Sequence, residues 1–323
     1  LKAIKADDVD VPVIVTTGAP SMDTAIAALE FGAFRYIQKP VDPAEVRNAM
    51  VSAVRMARLA KYRREAAQHV AAATTEDNEL EELDQRLTRA VDLLFAHYQP
   101  IVRWPERETF AYEALVRTKE PSIPHPGVLF DAAETLQRVQ DVGRQMRLVA
   151  PEPFKDGGPP LLFINLHPSD LLDEDLFDPS TPLGGIASKV VLEITERASL
   201  SGIGELRERI DRLRALGFRI AVDDLGAGYA GLSAFVALQP DVVKLDMSLV
   251  RDIHESPTKQ RLVRSVVDAC DDLEMQVIAE GVETAEELLA LEKIGCRLFQ
   301  GYYFARPGLP FPEPVWPGAP NEP

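Results

Sequence analysis

The sequence has few cysteines. Only Cys270 and Cys296 occur among its 323 residues, and they do not form a CxxC pair. So few thiols in a chain of this length indicate a reducing compartment, with both side chains buried for structural reasons. A disulfide between the two is the less favoured alternative. We therefore expect a cytoplasmic protein.

Basic residues are in deficit as well. Lys and Arg number 35 against 51 Asp and Glu, which gives a formal net charge of −16 and a pI of about 4.8. Such a surface repels the phosphates of long nucleic acids, so we expect neither DNA nor RNA as a partner. A small anionic ligand remains compatible with this charge if metal ions and a few cations offset it locally.

Long hydrophobic runs are absent. No apolar stretch reaches the ~18 residues of a membrane span, and no signal peptide is visible. Because the sequence opens at Leu1 rather than Met, we expect it to be a piece of a longer protein. Its length and its 46% of hydrophobic residues suffice for one barrel of roughly 250 residues and a smaller unit.

The first 50 residues alternate between strand and helix patterns. VPVIVTT (11–17) is typical of a strand buried on both faces, residues 21–31 are helical, and a second strand (34–37) leads to Lys39-Pro40. Asp42-Pro43 begin a helix that we expect to reach about residue 73. We divide the chain into a fragment (1–50), a helical linker (51–81), a barrel (82–309) and a Pro-rich tail (310–323).

A further helix is predicted after Thr74 and Thr75. Its apolar residues recur at intervals of three or four, at Leu80, Leu83, Leu87, Ala90 and Leu94. This spacing suits a short coiled coil that forms a homodimer, and equally a helix that packs on its own domain.

From Tyr98 onward, strands and helices alternate regularly. Amphipathic helices are predicted at 203–216, 258–273 and 284–294. The predicted strands are 98–103, 110–117, 161–166, 190–195, 218–223, 242–246, 276–280 and 297–300. A short hairpin at 105–108 makes the first two strands antiparallel. The sequence therefore predicts an α/β protein with a modified TIM (β/α)8 barrel.

Polar residues close the predicted strands one after another. They are Glu113, Asn165, Glu193, Asp223, Asp224, Lys244, Glu280 and Gln300. Any one of them is commonly a helix cap or half of a salt bridge: Glu193 alone would be structural, and Lys244 could simply neutralise Asp246. Together they fall at the carboxyl ends of the strands, where barrels of this kind carry their active sites.

The donor types indicate a site for two metal ions. Clustered carboxylates coexist only if some hold protons or cations lie among them. Oxygen ligands without His or Cys favour Mg²⁺ or Mn²⁺. Asp223 could bridge two ions ~3.5–4 Å apart while Asp224 binds only the second. Lys244 can orient a water nucleophile. Arg117, on the strand of Glu113, can bind a phosphate, although taken alone Arg117 would be half of a surface ion pair.

A glycine-rich segment, DDLGAGYAGL (223–232), follows the Asp pair. Gly226 and Gly228 permit backbone conformations that are closed to other residues. We favour a flexible gating or dimer-contact loop over a backbone nest for phosphate. Glu196 could hold that loop through its backbone NH groups, or simply lie at a helix start.

These strings resemble the EAL family of cyclic di-GMP phosphodiesterases. The resemblance covers about residues 82–309 and rests on EALVR (113–117), LEITE (192–196), VDDLGAGYAGL (222–232), PDVVKLD (240–246), VIAEGVE (277–283) and QGYYFARP (300–307). It implies a bacterial barrel enzyme that hydrolyses cyclic di-GMP (c-di-GMP) to linear pGpG with Mg²⁺ or Mn²⁺.

The resemblance also implies a role for each residue. Glu113, Asn165, Glu193 and Asp223 would hold the first metal, and Asp223, Asp224 and Glu280 would complete the pair of sites. Lys244 and Glu280 would assist the water, with Glu280 as general base. The residues that would contact the substrate are Arg117, Gln300, Leu115 and Gln99. Glu283 would support the pocket from behind. The chain departs from the family pattern at Leu225, where Phe is common, at His167, where Ser is usual, and in a shortened segment after Arg117.

Residues 1–50 resemble the carboxyl half of a response-regulator receiver domain. Thr17 matches its switch hydroxyl, Tyr36 its switch aromatic residue and Lys39 its phosphate-pairing lysine. The resemblance implies an upstream histidine kinase for the intact protein. Two alternatives to the enzyme remain: a catalytically silent c-di-GMP receptor, and a barrel enzyme that uses a divalent metal for enolate chemistry.

Overall fold

A computed structural model describes residues 11–18, 33–43, 45–54, 56–57, 76–155, 161–195, 205–226, 235 and 237–316. The chain divides into two compact units, Leu1–Glu81 and Glu82–Pro323. The predicted helix over 21–31 and most of the predicted helix beyond residue 57 lie outside the described residues.

The first unit contains a parallel pair of strands. β1 (Ile14–Thr17) pairs with β2 (Arg35–Gln38), with Ile14 opposite Arg35 and Thr17 opposite Gln38. Both strands fall where the sequence predicted them. Residues 45–54 and 56–57 are helical, as expected for the segment after Asp42-Pro43.

The second unit is a closed eight-stranded barrel. Its strands are β3 (Leu94–Arg103), β4 (Glu108–Thr118), β5 (Leu162–Asn165), β6 (Val190–Thr195), β7 (Arg219–Leu225), β8 (Val242–Leu245), β9 (Gln276–Ala279) and β10 (Leu298–Phe299). They close in the order β10-β3-β4-β5-β6-β7-β8-β9. β3 is antiparallel to both of its neighbours, and the other pairs are parallel. The predicted modified TIM barrel is confirmed.

Helices surround the barrel. They are α1 (Glu76–Asp92), α2 (Pro126–Thr135), α3 (Val139–Val149), α4 (Leu206–Leu216), α5 (Met247–Val250), α6 (Pro257–Asp272) and α7 (Ala285–Ile294). Pro257 at the first position and a Ser256 cap explain the start of α6, and Gly217 and Gly295, both left-handed, end α4 and α7.

One predicted helix boundary was wrong. Leu94 was expected in the helix, but α1 ends at Asp92 and Leu94 opens β3. The strand predicted at 110–117 is confirmed as β4, and Glu113 lies within it rather than at its end because β4 continues to Thr118 alongside its antiparallel partner β3. Leu94 continues the helical spacing of three to four residues and is also apolar enough to begin a strand. The spacing alone therefore cannot show where the helix ends.

One apolar layer fills the barrel interior. It comprises Ile101, Ala111, Phe163, Val191, Ala221, Val242, Ile278 and Leu298, with Leu161 at its margin. Because successive strand residues alternate between the two sides, the residue two positions further on points inward again. This layer therefore supports a second inward layer at the carboxyl ends of the parallel strands.

The end of the chain packs across β3. Gly308 pairs with Tyr98 in an isolated bridge, and the Phe311 ring contacts the rings of Tyr98, Tyr112 and Phe154. Residues 309–316 are irregular, as the proline content predicted. Cys270 and Cys296 are both buried and are not joined in a disulfide. No helix in the described part of the chain is long and apolar enough to cross a membrane.

Candidate active site

The second inward layer carries the chemistry. Each of seven strands places a polar residue two positions after its core residue, and β3, which runs the opposite way, places Gln99 two positions before Ile101. The seven are Glu113, Asn165, Glu193, Asp223, Lys244, Glu280 and Gln300. The same period-2 alternation that fills the core thus gathers the predicted site residues at one end of the barrel.

Lys244 lies at the centre of this layer. Its Nζ is 2.5 Å from Glu193 Oε1 and 2.6 Å from Glu280 Oε1. It is 3.4 Å from both Glu113 Oε2 and Asp223 Oδ1. Burial lowers the Lys244 pKa, but the four carboxylates outweigh it and raise the pKa well above its usual value. The ammonium is therefore kept charged. Asp246, the alternative partner, instead caps α5 through Ser248 N.

Glu113 is held by amides. Asn165 Nδ2 donates to its Oε1 at 2.9 Å, and Gln300 Nε2 donates to its Oε2 at 2.6 Å. Gln300 Nε2 also donates to Gln99 Oε1 at 3.1 Å, and Gln99 in turn donates to the Ala305 carbonyl. Burial alone would raise the Glu113 pKa, but Lys244 and these amide donors lower it below the usual value. Glu113 is consequently an ionised, well-oriented carboxylate.

Glu193 is the most enclosed acid of the site. Its side chain is 0% exposed, and neither of its oxygens has a hydrogen-bond partner in the described structure, although Oε1 contacts the Lys244 ammonium. Burial, followed by repulsion from Glu113, raises the Glu193 pKa well above its usual value. The buried Oε2, which no donor contacts in the described structure, is what a cation would satisfy.

Glu280 follows β9 directly and contacts Lys244. Burial raises the pKa of Glu280 to about 8, with Asp223 and Glu113 adding repulsion that Lys244 only partly offsets. Carboxylate oxygens of Asp223, Asp224 and Glu280 lie within 4.8 Å of one another. Asp224 reaches this group from a left-handed backbone (φ 59°), with its N–H donating to Asp223 Oδ1 at 2.9 Å. An all-oxygen set of this kind fits Mg²⁺ or Mn²⁺.

The layer opens into a cavity of about 440 Å³. Besides the predicted residues, Met247, Gly281, Gly301 and Tyr302 line it, none of which was predicted as a site residue. Gly281 (φ 67°) is required here, because a Cβ would lie 2.6 Å from Met247 Cβ. The two glycines were detectable in the sequence, since each directly follows a predicted strand end.

A second cavity of about 540 Å³ shares Asn165 with the first. Its walls are largely apolar and include Leu115, Phe130, Ile164 and Met146, with Arg117 also among the lining residues. Arg117 Nη1 donates to the Val116 carbonyl at 2.7 Å. Gln99 and Gln300, the other two predicted substrate contacts, line the first cavity. The structure thus distributes the four predicted contacts over two neighbouring cavities.

The remaining predicted residues fall into three groups: Gly226 and Glu283 in the barrel unit, two residues outside the described part of the chain, and three in the first unit. Gly226 is left-handed (φ 105°), and a Cβ there would meet the Leu249 side chain at 2.4 Å. Glu283 lines the first cavity and contacts Arg251 Nη1 at 2.6 Å. Glu196 and Gly228 lie outside the described residues. Thr17, Tyr36 and Lys39 belong to the first compact unit.

Residues 80–307, more than half of the sequence, match the EAL domain family. The chain belongs to the EAL domain family. The barrel, the donor set and the two cavities are accordingly features of an EAL domain.

Relatives of this EAL protein include signalling proteins of different kinds. The cyclic di-GMP phosphodiesterase PdeR of Escherichia coli (strain K12) is 35% identical over 243 residues, 70% of this chain and 36% of PdeR. The blue light- and temperature-regulated antirepressor BluF of the same strain is 31% identical over 226 residues, 68% of this chain and 56% of BluF. The chain therefore spans less than two thirds of the length of these relatives.

The fold matches solved EAL structures. A standalone versatile EAL protein from Vibrio cholerae O395, in its c-di-GMP-bound form, has a TM-score of 0.54 and 30% identity, covering 68% of this chain and 94% of that protein.

Proposed function

We propose that this EAL domain hydrolyses c-di-GMP to linear pGpG in a reaction that depends on two divalent metal ions. The observation that carries the proposal is the convergence of four carboxylates on the Lys244 ammonium, with Asn165 beside them. The phosphodiesterase relative PdeR and the c-di-GMP-bound EAL structure support the same substrate.

The donor set supports the following metal positions. Glu113, Asn165, Glu193 and Asp223 would hold one Mg²⁺ or Mn²⁺, and Asp223, Asp224 and Glu280 would hold the second. When bound, the ions supply an activated water and stabilise the charge on the attacking and leaving oxygens. The fit rests on the unpartnered Oε2 of Glu193 and on the close approach of Asp223, Asp224 and Glu280.

Side chains of this chain perform the proton chemistry. Glu280 takes the proton from the attacking water as general base. Lys244, in contact with Glu280 at 2.6 Å, orients that water and neutralises a phosphate oxygen. Glu283, ion-paired with Arg251, supports the loop that carries Glu280.

Each of the two cavities binds a different part of the substrate. The phosphodiester to be cut lies over the carboxylates, near Gln99 and Gln300, and one guanine base lies against the apolar wall that includes Leu115. Arg117 turns from the Val116 carbonyl to a phosphate when substrate binds. A compact, doubly charged dinucleotide is thus bound by an acidic protein at a point where cations offset its charge.

The amino-terminal residues give the regulatory context. We propose that 1–50 belong to a response-regulator receiver fold, on the strength of the β1–β2 pair and of Thr17, Tyr36 and Lys39. In the intact protein a histidine kinase would then act upstream, and the helical linker or the glycine-rich loop would form a homodimer. The compartment proposed for this system is the cytoplasm.

A catalytically silent c-di-GMP receptor is the second candidate. It is favoured by the relative BluF, which is described as an antirepressor, and by Leu225 in the segment after the Asp pair. The complete donor set favours the enzyme, because a receptor does not need a base at Glu280 or an ammonium at Lys244.

Incubation with c-di-GMP separates the candidates. The wild-type chain with Mg²⁺ or Mn²⁺ is expected to yield pGpG, measured by liquid chromatography, while EDTA or Glu113→Ala abolishes the product. Ca²⁺ should inhibit, because it prefers looser and higher coordination. Tight c-di-GMP binding without any product from the wild-type protein would establish the receptor instead.

A further inference from the structure

Glu287 is a fully buried acid that the catalytic assignment does not use. It lies in the first turn of α7, and its residue is 0% exposed. Both of its oxygens accept backbone hydrogen bonds. Oε1 accepts from Asp252 N at 3.0 Å, and Oε2 accepts from Glu283 N at 2.9 Å and from Thr284 N at 3.2 Å.

These donors belong to two different loops of the active-site rim. Glu283 and Thr284 follow β9 and come three and four residues after Glu280. Asp252 follows α5, in the connection after β8, the strand that carries Lys244. A single carboxylate therefore joins the loop that begins at Glu280 to the connection that follows β8, the strand of Lys244.

The joined loops also touch beside the catalytic acid. Gly281 packs so closely on Met247 of α5 that a Cβ would lie 2.6 Å from Met247 Cβ. Glu280 N donates to the Leu245 carbonyl at 3.1 Å, which fixes the start of the loop. Glu287 fixes its far end at Glu283 and Thr284. Glu280 is thus held between two anchored points.

Helix capping explains only part of this arrangement. Thr284 and Glu287 form a capping box, with Thr284 Oγ1 accepting from Glu287 N at 3.2 Å. The bond from Asp252 and the complete burial of the carboxylate are not needed to start a helix. Arg251, whose Nη1 lies 2.6 Å from Glu283 Oε2 and 3.9 Å from Glu287 Oε1, supplies a cation that makes the burial tolerable.

We infer that Glu287 is a positioning residue that sets the orientation of Glu280 by tying the loop after β9 to the loop after α5. The inference rests on the proposed function, because it assigns Glu280 as base and metal ligand. Without this carboxylate, three backbone N–H groups lose their acceptor and the loop relaxes. The Glu280 carboxylate then departs from its contact with Lys244.

Two variants and one control test the role. Glu287→Ala removes both acceptors, whereas Glu287→Gln keeps the shape and one acceptor, so it preserves the fold where Ala does not. Glu286→Gln removes the same charge from the same helical turn but at an exposed position. Steady-state hydrolysis of c-di-GMP and Mn²⁺ affinity by electron paramagnetic resonance, with Mn²⁺ as the sole ligand, are measured for each, together with the melting temperature.

We expect Glu287→Gln to lower kcat about 10-fold and Glu287→Ala to lower it up to about 100-fold, which is the range typical of residues that orient metal ligands. KM should be unchanged, and Mn²⁺ affinity should fall in parallel with kcat. Glu286→Gln should match the wild-type protein. A folded Glu287→Gln protein with wild-type kcat and Mn²⁺ affinity would overturn the role. The role would also be overturned if the fall in kcat in each variant were accounted for entirely by a smaller fraction of folded protein.

The Mn²⁺ measurement keeps the two proposals apart. If the wild-type protein forms no pGpG, the proposed function fails, and Mn²⁺ affinity alone then decides the role of Glu287. Weaker Mn²⁺ binding in both Glu287 variants but not in Glu286→Gln would still support it. Unchanged Mn²⁺ binding in all three would overturn it.

Discussion

Lys244 Nζ lies 2.6 Å from Glu280 Oε1, in a side chain that is only 1% exposed. The contact pairs the proposed base with the cation that orients its water. It also explains how the pocket tolerates four acids, because the ammonium sits among all of them. The predictions below follow from this central cation and its carboxylates.

Replacing Lys244 should affect stability as well as activity. Lys244→Met leaves the acids without a buried cation, and removal of one partner of a buried ion pair destabilises by about 3–5 kcal/mol. Mg²⁺ should restore much of this loss, since it neutralises the same carboxylates. Thermal unfolding with and without Mg²⁺ measures both effects. Lys293→Met, at an exposed position of α7, is the control, and equal melting temperatures for the two variants would contradict the central role of Lys244.

Replacing Glu280 should remove the base without removing the substrate site. We expect Glu280→Gln to lower kcat by roughly 10²–10⁴, the usual contribution of a general base, with a much smaller change in KM. The measurement is steady-state kinetics with saturating Mg²⁺. A kcat within a few-fold of wild type would exclude Glu280 as the base.

Strand alternation made much of the site predictable. Every second residue of a strand points inward, so the core residues and the site residues follow the same two-residue spacing. Four predicted residues converge as expected for this reason: Asn165, Asp223, Lys244 and Gln300. The strand that carries Glu113 was predicted close to its observed range, but the sequence placed Glu113 at its end, whereas the pairing of β4 with β3 places Glu113 inside it.

Other features could not be predicted because they depend on tertiary contacts. The proline-rich end was expected to be irregular, and only the structure places Phe311 against Tyr98 and Tyr112. Glu287 was detectable as the fourth residue of a Thr-x-x-Glu capping pattern. Its bond to Asp252, 35 residues away in sequence, was not.

Metal binding should release protons in a defined pH range. In the metal-free protein the Glu280 pKa is raised to about 8, so the carboxyl holds a proton below that pH. A bound cation favours the ionised form, so Mg²⁺ binding at pH 6 should release about one proton from this group, and the release should fade as pH rises through about 8. Calorimetry in two buffers of different ionisation enthalpy measures the number.

Glu280→Gln provides the control for that titration. The amide cannot release a proton, so the variant should release fewer protons than wild type, and the remainder should come from Glu193, whose pKa is also raised. Proton release that is independent of pH between 6 and 9, or equal in the two proteins, would refute the assignment.

Arg117 should contribute to substrate binding rather than to the chemical step. Its guanidinium can contact a phosphate with two parallel hydrogen bonds, which Lys cannot reproduce. We expect Arg117→Ala to raise KM by roughly 10-fold or more, the loss of one charge-assisted hydrogen bond, while kcat stays within a few-fold. Arg297 is exposed and directly precedes β10, at the end of the strand away from the site, so Arg297→Ala should behave as wild type. A fall in kcat with constant KM would place Arg117 in the chemistry instead.

The account depends most on two metal ions held by one ring of oxygen donors. Crystals grown with Mn²⁺, with diffraction recorded at the manganese absorption edge, locate such ions directly. We predict two anomalous peaks ~3.5–4 Å apart, one against Glu113, Asn165, Glu193 and Asp223 and the other against Asp223, Asp224 and Glu280, with Asp223 between them. Saturating Mn²⁺ that leaves these residues without any anomalous peak would contradict the account.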